Sequence, residues 1–314
     1  MSNSIEIKAR LKGLFSLFGL LAIVLVSSLV SDRFLKVSNI ITILRQSSIL
    51  LILSLGLTGV VLTGGIDLSV SAIAAFVGCT VAQLLILGMP IPLVVLIGLT
   101  VGAAIGVFNG LLVGKLKMPP FVATYGMMMV VNGFSLIMMQ GSIIYGLPES
   151  FTWFGVGYMG FMPIPVILAF LTAVFFIVLF KKTTFGAELY ILGSNETAAK
   201  YSAIPVDKRL ITIYGISGLT AGLAGLVLTA RLDAAEVAMS EAFGLQTVAA
   251  VVIGGTSLLG GEGGAFGTVI GALILTIVVN IMNLMGISSF IQPIVIGFVI
   301  ITTVFIDVTT KKNR

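Results

Sequence analysis

The sequence contains no histidine and a single cysteine, Cys79, and only 9% of its 314 residues are charged. Without histidine, the chain lacks the commonest general base and one of the commonest metal ligands. One cysteine cannot form a disulfide or a thiolate metal cluster within the chain. We therefore expect no metal site and no cofactor, and we find no plausible catalytic cluster for an enzyme.

Hydrophobic residues make up 58% of the chain. Its charged fraction of 9% is far below the roughly 25% of soluble domains. A membrane-spanning helix needs about 20 mostly apolar residues. Such runs lie near 14–30, 40–62, 70–88, 92–114, 120–139, 164–180, 210–230, 265–284 and 288–306, with a shorter, glycine-interrupted run at 244–258. The pattern predicts an all-α integral membrane protein, one transmembrane domain over 1–314 with about ten spans.

The distribution of Lys and Arg predicts the orientation, because cations concentrate on cytoplasmic loops. With ten spans and a retained first helix, 13 of the 17 cations fall on one side, and both termini are expected in the cytoplasm. These cations are Lys8, Arg10, Lys12, Lys115, Lys117, Lys181, Lys182, Lys200, Lys208, Arg209, Lys311, Lys312 and Arg314. Arg33, Lys36 and Arg231 fall outside, and Arg45 lies within the second span.

The segment 181–209 is the longest predicted cytoplasmic connection. Asn195 can cap a short helix from Glu196 to Lys200, where Glu196 complements the helix dipole. Pro205 stops the helix nearby. Two interpretations stay open: a solvated loop with one helical turn, or a docking element for another protein.

Glycine recurs at every fourth position in several predicted spans, which favours close helix packing in lipid. The longest stripe is Gly98, Gly102, Gly106, Gly110 and Gly114, and shorter ones are Gly263, Gly267 and Gly271, and Gly218 and Gly222 beside Ala221 and Gly225. Packing alone explains the stripes. Smooth glycine faces would also allow helices to slide or tilt between states.

Two similar short stretches, 64–68 and 254–258, each follow an apolar run and precede another span. Glycine-interrupted segments at matching places in two halves are typical of transporters built on an internal repeat. We therefore predict an internal two-fold repeat.

Asp67 is the acidic residue that stands between two continuous apolar runs with no other charge near it. One interpretation is a cap, in which Asp67 accepts backbone N–H bonds at the start of the third helix and Ser69 assists. The other is a gate or substrate contact. Both predict that replacement by alanine is harmful.

The stretch 62–69, Leu-Thr-Gly-Gly-Ile-Asp-Leu-Ser, resembles the permease subunits of bacterial sugar ABC transporters of the ribose, xylose and galactose type. The resemblance continues at Asn109-Gly110, at 117–121 with Thr124, at 193–200, and at 249–258 with the glycines after it. It therefore covers nearly the whole chain. Ser71 and Ala203 stand where the family has glycine, and Tyr125 where it has leucine.

This resemblance implies a permease of the bacterial inner membrane that pairs with a second identical or similar permease subunit around a central pathway. It implies a cytoplasmic ATP-binding subunit docked on 194–204 and an extracytoplasmic binding protein that delivers a monosaccharide or similar polyol. No nucleic-acid partner is expected. The implied coupling residues are Ser194, Asn195, Glu196, Ala198, Ala199, Lys200 and Ser202, and the candidate pathway or gate residues are Asp67, Ser69, Asn109, Thr124 and Asn132.

The chain contains no G-x-x-x-x-G-K-[ST] phosphate-binding motif, and the glycine run 260–264 has no lysine to reach a phosphate. ATP must then be hydrolysed by another chain. An ion-coupled secondary transporter is an alternative, but only Arg45 and Asp67 could serve as buried ionisable groups.

A branched-chain amino acid ABC permease is a closer alternative. The polar uncharged residues Asn109, Asn132, Gln83, Gln140, Asn280 and Asn283 suit hydroxyl-rich ligands, although most are expected to form interhelical bonds. The sugar cannot be read from the sequence.

Overall fold

The computed structural model describes residues 17–312, which form thirteen helices and four two-residue strands. The helices are α1 (Leu17–Val30), α2 (Val37–Leu62), α3 (Val70–Ile86), α4 (Ile91–Gly114), α5 (Pro120–Met139), α6 (Glu149–Val156), α7 (Ile164–Lys182), α8 (Thr184–Ser194), α9 (Glu196–Tyr201), α10 (Val206–Leu232), α11 (Phe243–Ile253), α12 (Ala265–Leu284) and α13 (Gln292–Lys312). The strands are β1 (Ile144–Tyr145), β2 (Tyr158–Met159), β3 (Met162–Pro163) and β4 (Ala234–Ala235). Lys8, Arg10, Lys12 and Arg314 of the orientation argument lie outside the described residues.

Six helices are long and apolar enough to cross a membrane: α2, α4, α5, α7, α10 and α12. The apolar helices α1, α3 and α11 are shorter in the described part of the chain. The last predicted span, 288–306, overlaps α13. A largely helical membrane protein is therefore confirmed, whereas the count of ten spans stays a prediction.

Three of the six long helices form the centre of the bundle. The most apolar windows of α2, α10 and α12 are 67%, 72% and 67% buried, against 22% for α4 and α5. Since α4 and α5 are apolar on their exposed sides, those sides suit lipid or a partner helix. The bundle is thus organised around α2, α10 and α12.

The glycine stripe of α4 packs directly on α10. A Cβ atom at Gly102 would lie 2.6 Å from the carbonyl oxygen of Gly218, and one at Gly110 would lie 2.5 Å from the Cα atom of Ile211. Gly222 faces the carbonyl oxygen of Gly98 in return. The two backbones therefore touch along several turns, and the close packing predicted from the stripe is confirmed.

Only two members of the second predicted stripe, Gly267 and Gly271, lie on α12, where they pack against Ala250 and Gly254 at the end of α11. Gly263 lies in the connection before α12, with φ +122°. At the far end of α12, the amides of Asn280 and Asn39 exchange hydrogen bonds of 2.8 and 3.0 Å between α12 and α2. Gln83 donates to the Met139 sulfur, which joins α3 to α5. Several of the polar residues therefore form the interhelical bonds that were predicted for them.

Helix α11 is the interrupted run of the sequence, and it is only 11 residues long. At 1.5 Å per residue it covers roughly 16 Å, about half of the hydrocarbon core. The segment before it, 236–242, is not helical and is partly exposed; within it Ser240 is 1% exposed, and its hydroxyl donates to the carbonyl oxygen of Ser71. This bond from Ser240 ties the irregular segment to the first turn of α3.

The connections gather at two ends of the bundle. We call one the α9 end, formed by 63–69, 115–119, 183–205 and 254–264; there Lys117 and Asp207 form an exposed ion pair at 2.5 Å. The opposite end, which we call the α6 end, carries α6 and the strands, with β1 paired to β4 and β2 to β3.

The α9 end holds one helix that the sequence did not predict. Only a single short helix was expected within 181–209, yet α8 precedes α9 there. Thr183 caps α8 by accepting a bond from Gly186 at 3.1 Å, and Glu188 forms an ion pair with Arg209 of α10. The cap at Thr183 was a readable signal that was overlooked.

The two similar stretches of the predicted repeat form similar turns, offset by one residue. After α2, Gly64 has φ +79° and Gly65 donates to Val60; after α11, Gly255 has φ +85° and Thr256 donates to Val251. Such glycine turns end roughly a third to a half of all helices. Their occurrence therefore leaves the repeat a prediction.

Candidate functional site

Helix α9 begins as the sequence predicts. The Asn195 side-chain oxygen accepts a 2.9 Å bond from the amide of Ala198, and Glu196 pairs with Lys200 at 2.7 Å one turn later. This bond to Glu196 raises the pKa of Lys200 above its ordinary value. The helix ends at Tyr201, before Pro205. The capped short helix is therefore confirmed.

Most of the predicted coupling residues lie on the surface, but one does not. The exposed ones are Ser194, Asn195, Glu196, Ala198, Lys200 and Ser202. Ala199 is 0% exposed and faces its own chain, and its carbonyl oxygen accepts from Ile204. Ala199 was named as a coupling residue, but its burial leaves it no surface for direct contact with another protein, because this face of the six-residue helix packs on the bundle.

Sequence reasoning missed an almost fully exposed aromatic side chain on this helix. Tyr201 is 90% exposed at the end of α9. Exposed aromatic side chains are enriched among the residues that dominate protein interfaces. The signal available in the sequence was an aromatic residue at the end of a short capped helix, just before Pro205.

Ala203 stands where the sequence analysis expects a glycine, and its backbone conformation is one that glycine favours. It follows α9 with φ +59°, the left-handed region, and the amide of Ile204 closes the turn onto Ala199. This is the helix-end position that glycine usually occupies. The alanine keeps the turn, at a conformational cost of roughly 1–2 kcal/mol.

We predict that Ala203→Gly stabilises the α9 end. Relief of the left-handed strain outweighs the extra backbone entropy of glycine, roughly 0.5–1 kcal/mol. The melting temperature in detergent should rise by a degree or more. Ser202→Gly is the matched control, since Ser202 has φ −83° and gains nothing from glycine. Equal shifts in both variants would contradict the strain at position 203.

The connection from α2 to α3 carries a buried polar cluster centred on Asp67. Asp67 is 0% exposed, and its Oδ1 atom accepts bonds from the Ser69 amide at 2.9 Å and the Ser69 hydroxyl at 2.6 Å. Ser69 immediately precedes α3. The prediction that Asp67 accepts a backbone bond at the start of the third helix is confirmed.

Two neighbouring helices contribute to the same cluster. From α4, the Asn109 amide donates to the Ser69 hydroxyl at 2.8 Å. From α5, the Thr124 hydroxyl donates to the carbonyl oxygen of Ile66 at 3.1 Å and accepts from the amide of Leu68 at 3.2 Å. Four of the five predicted gate residues, Asp67, Ser69, Asn109 and Thr124, therefore meet at one place and are 0% exposed.

The fifth predicted gate residue, Asn132, lies apart from this cluster. It is half-buried on α5, eight residues beyond Thr124, which places it roughly 12 Å further along the helix. Asn132 therefore lies nearer the middle of the span and about 80° around the helix axis from Thr124.

Several oxygen atoms of this region have no hydrogen-bond partner among residues 17–312. They are Asp67 Oδ2, Asn109 Oδ1 and the hydroxyl of Tyr214, a fully buried residue of α10 that sequence reasoning missed. A Cβ atom at Gly65 would lie 2.7 Å from that hydroxyl, so Tyr214 reaches the same connection. Leaving a buried polar group unpaired costs about 1–3 kcal/mol. Such oxygens can accept the hydroxyl protons of a polyol or of water.

The charge of Asp67 is not offset within the part of the chain that the structure describes. None of its described Lys or Arg side chains forms an ion pair with Asp67, and no group of three or more metal-ligating side chains occurs there. The cluster can therefore bind polar, uncharged groups through hydrogen bonds, and its geometry offers no catalytic arrangement.

The chain is similar over nearly its whole length to known permeases. It is 42% identical to the ribose import permease protein of Bacillus subtilis (strain 168), over 92% of this chain and 90% of that protein. It is 39% identical to the ribose import permease protein of Escherichia coli (strain K12), over 96% and 95%. It is 36% identical to the D-allose transport system permease protein of the same strain, over 95% and 92%. No solved structure matches.

A family model also matches, over residues 39–304. These residues include the buried polar cluster, α8, α9 and the glycine connections at the α9 end. The family is described as the permease component of the branched-chain amino acid transport system, and the ribose and allose permeases resemble this chain from end to end. The chain therefore belongs to this family of ABC importer permeases.

Proposed function

We propose that the chain is the membrane permease subunit of an ATP-driven, binding-protein-dependent importer that moves a monosaccharide across the bacterial inner membrane. The end-to-end similarity to ribose and allose permeases carries this proposal. The same observation favours a sugar over a branched-chain amino acid. An ion-coupled mechanism has less support, because Asp67 is the only charged side chain that is buried among the described residues, whereas ion-coupled transporters carry several such groups.

ATP is hydrolysed on a separate subunit that docks at the α9 end. The chain lacks a phosphate-binding lysine motif, so energy must enter through a protein surface. The exposed face of α9, which we call the α9 face, comprises Asn195, Glu196, Ala198, Lys200, Tyr201 and Ser202. An exposed aromatic flanked by one acidic and one basic residue suits a protein partner.

The buried polar cluster is the closed gate of the sugar pathway. Its unpaired oxygens of Asp67, Asn109 and Tyr214 suit the hydroxyl groups of a sugar that passes when the cluster opens. Asn132 lies further along the same helix as Thr124 and extends the polar path. A second permease subunit covers the exposed side of α5 and completes that path.

The α9 end faces the cytoplasm. It carries Lys115, Lys117, Lys181, Lys182, Lys200, Lys208 and Arg209, whereas Arg33, Lys36 and Arg231 lie towards the other end. Short loops rich in Lys and Arg stay on the cytoplasmic side. Both termini are then cytoplasmic if ten spans are present.

Single cysteines in a Cys79→Ala background test this orientation. In intact cells, a membrane-impermeant thiol reagent should label Ser150→Cys, which is exposed on α6, and should leave exposed Ser194→Cys unlabelled until the cells are opened. Ser240→Cys serves as the negative control. Ser240 is 1% exposed, so little label should reach it from either side. Labelling of Ser194→Cys in intact cells would reverse the orientation.

Reconstitution tests the function itself. The complex of the permease, its ATP-binding subunit and its binding protein is placed in proteoliposomes, and ribose, allose and galactose are compared. We expect at least one of these sugars to raise ATP hydrolysis through the binding protein and to be imported. Leucine import with no sugar import would favour the amino acid alternative instead.

A further inference from the structure

Three connections meet at the α9 end through their backbones. The end of α2, the α8–α9 junction at 193–195, and the α11–α12 connection at 254–264 come together there. The amide of Gly261 donates to the carbonyl oxygen of Leu62 at 2.9 Å, so the α11–α12 connection is bonded directly to the end of α2.

Gly193, in the last turn of α8, closes this contact. A methyl group on Gly193 would overlap the carbonyl oxygen of Leu62 and would lie 2.6 Å from the amide nitrogen of Gly261. A Cβ atom at Gly260 would lie 2.7 Å from the amide nitrogen of Gly64 and 2.8 Å from the carbonyl oxygen of Gly193. The three segments therefore touch backbone to backbone, with no room for a side chain between them.

A side chain adds to the same contact. The hydroxyl of Tyr190, one turn before Gly193 on α8, donates to the carbonyl oxygen of Gly263 at 2.9 Å. Burial raises the pKa of Tyr190 above its ordinary value, so the phenol keeps its proton at neutral pH. We call the set of Tyr190, Gly193, Gly260, Gly261 and the Leu62 carbonyl group the glycine junction.

The glycine junction connects the two candidate sites along the chain. On one side, Gly193 lies two residues before Asn195, which caps α9 with its exposed Tyr201. On the other side, Gly64 lies three residues before Asp67, which holds Ser69 at the start of α3. A displacement of α9 thus reaches the buried polar cluster through contacts that lack flexible side chains, since packed backbone transmits strain with little compliance.

We propose that Gly193 is a positioning residue for energy coupling: through the glycine junction it passes the movement of α9 to the connection that holds Asp67. The inference rests on the proposed function, in which an ATP-binding subunit docks on the α9 face. It adds that α8, and not α9 alone, is part of the coupling path. It also gives the α11–α12 connection a role, as the third member that holds α8 against α2.

The test is Gly193→Ala in proteoliposomes that contain the ATP-binding subunit and the binding protein, with whichever of ribose, allose and galactose the wild type imports. The added methyl group must separate the junction, so the number of sugars imported per ATP hydrolysed should fall at least tenfold. Binding of the ATP-binding subunit should stay within twofold of wild type. The matched control is Gly297→Ala on α13, where a Cβ atom meets nothing within 4 Å.

Tyr190→Phe gives a second, sterically mild variant. It removes only the hydrogen bond to Gly263. The number of sugars imported per ATP hydrolysed should fall two- to fivefold, and the permease should still fold. If folded Gly193→Ala imports as many sugars per ATP as wild type, the inference is overturned. If Gly193→Ala does not reach the membrane, an unchanged number of sugars per ATP in Tyr190→Phe overturns it instead. Parallel loss of ATPase binding and import also overturns it, because the junction would then only shape the docking surface. A wild-type complex that imports no sugar contradicts the proposed function instead.

Discussion

Replacing Tyr201 with glutamate should abolish co-purification of the ATP-binding subunit while the permease still folds and inserts. Tyr201 is 90% exposed, so the chain itself loses few contacts. In the complex, the change removes an aromatic anchor and buries a carboxylate in its place. Loss of one such anchor typically costs at least about 2 kcal/mol, and an unpaired buried charge adds to this. We expect binding to weaken about 30-fold or more and sugar import to fall to background.

The matched control is Tyr145→Glu at the opposite end of the bundle. Tyr145 is 68% exposed on β1, and the substitution is chemically the same. It should leave the ATP-binding subunit attached. Full binding and full import in Tyr201→Glu would remove the α9 face from the docking surface, and loss of binding in Tyr145→Glu alone would assign docking to the α6 end.

The buried Ala199 gives a further contrast within the same helix. A glutamate at position 199 has no room, because the alanine is 0% exposed. Ala199→Glu should therefore lower the folded yield of the permease, whereas Tyr201→Glu should not. The comparison separates damage to the bundle from damage to the docking surface.

The sequence predicted the features that depend on local chemistry. The long apolar runs predicted the six long helices, and the glycine stripe of α4 predicted close helix packing, which α4 makes with α10. Asn195 predicted where α9 begins. Each of these depends on residues within a few turns of one helix. Periodicity and capping are therefore enough to predict them.

Features that depend on contacts between distant segments were missed. Tyr214 reaches the Gly65 connection only because the close packing of α4 and α10 fixes how α10 lies in the bundle. The burial of Ala199 depends on which face of α9 meets the bundle. The burial of Ser240 depends on the short length of α11, which leaves the preceding segment to pack against α3. The exposed faces of short helices and the paths of buried loops have no periodic signature in a single sequence.

Asp67→Ala should reduce sugar import about tenfold or more, whereas Asp67→Asn should keep import within about twofold of wild type. The Oδ1 atom accepts both the amide and the hydroxyl of Ser69, and asparagine retains that oxygen. Alanine leaves both donors buried without their acceptor, at roughly 1–3 kcal/mol each. It also frees the Ser69 hydroxyl that Asn109 uses, so the contact between the α2–α3 connection and α4 weakens.

The control for lost acceptor bonds is Asp233→Ala at the α6 end, where Oδ1 of Asp233 accepts from the amide of Leu147 at 2.8 Å. It removes one acceptor bond far from the cluster, so import per folded permease should stay within about twofold of wild type. Import and melting temperature are measured for each variant, which separates loss of fold from loss of transport.

The Asn variant decides what the carboxylate contributes at Asp67. A buried carboxylate without a cation partner costs more than a neutral amide of the same shape, so stability should not fall on amidation. If Asp67→Asn is as inactive as Asp67→Ala while both fold, the negative charge itself takes part in transport, and the hydrogen-bonding role derived from Ser69 is insufficient. Near-normal import in both variants would remove Asp67 from the gate. If import persists in Asp67→Asn and is lost in Asp67→Ala, Asp67 is the hydrogen-bond acceptor that holds the α2–α3 connection closed against α4 and α5.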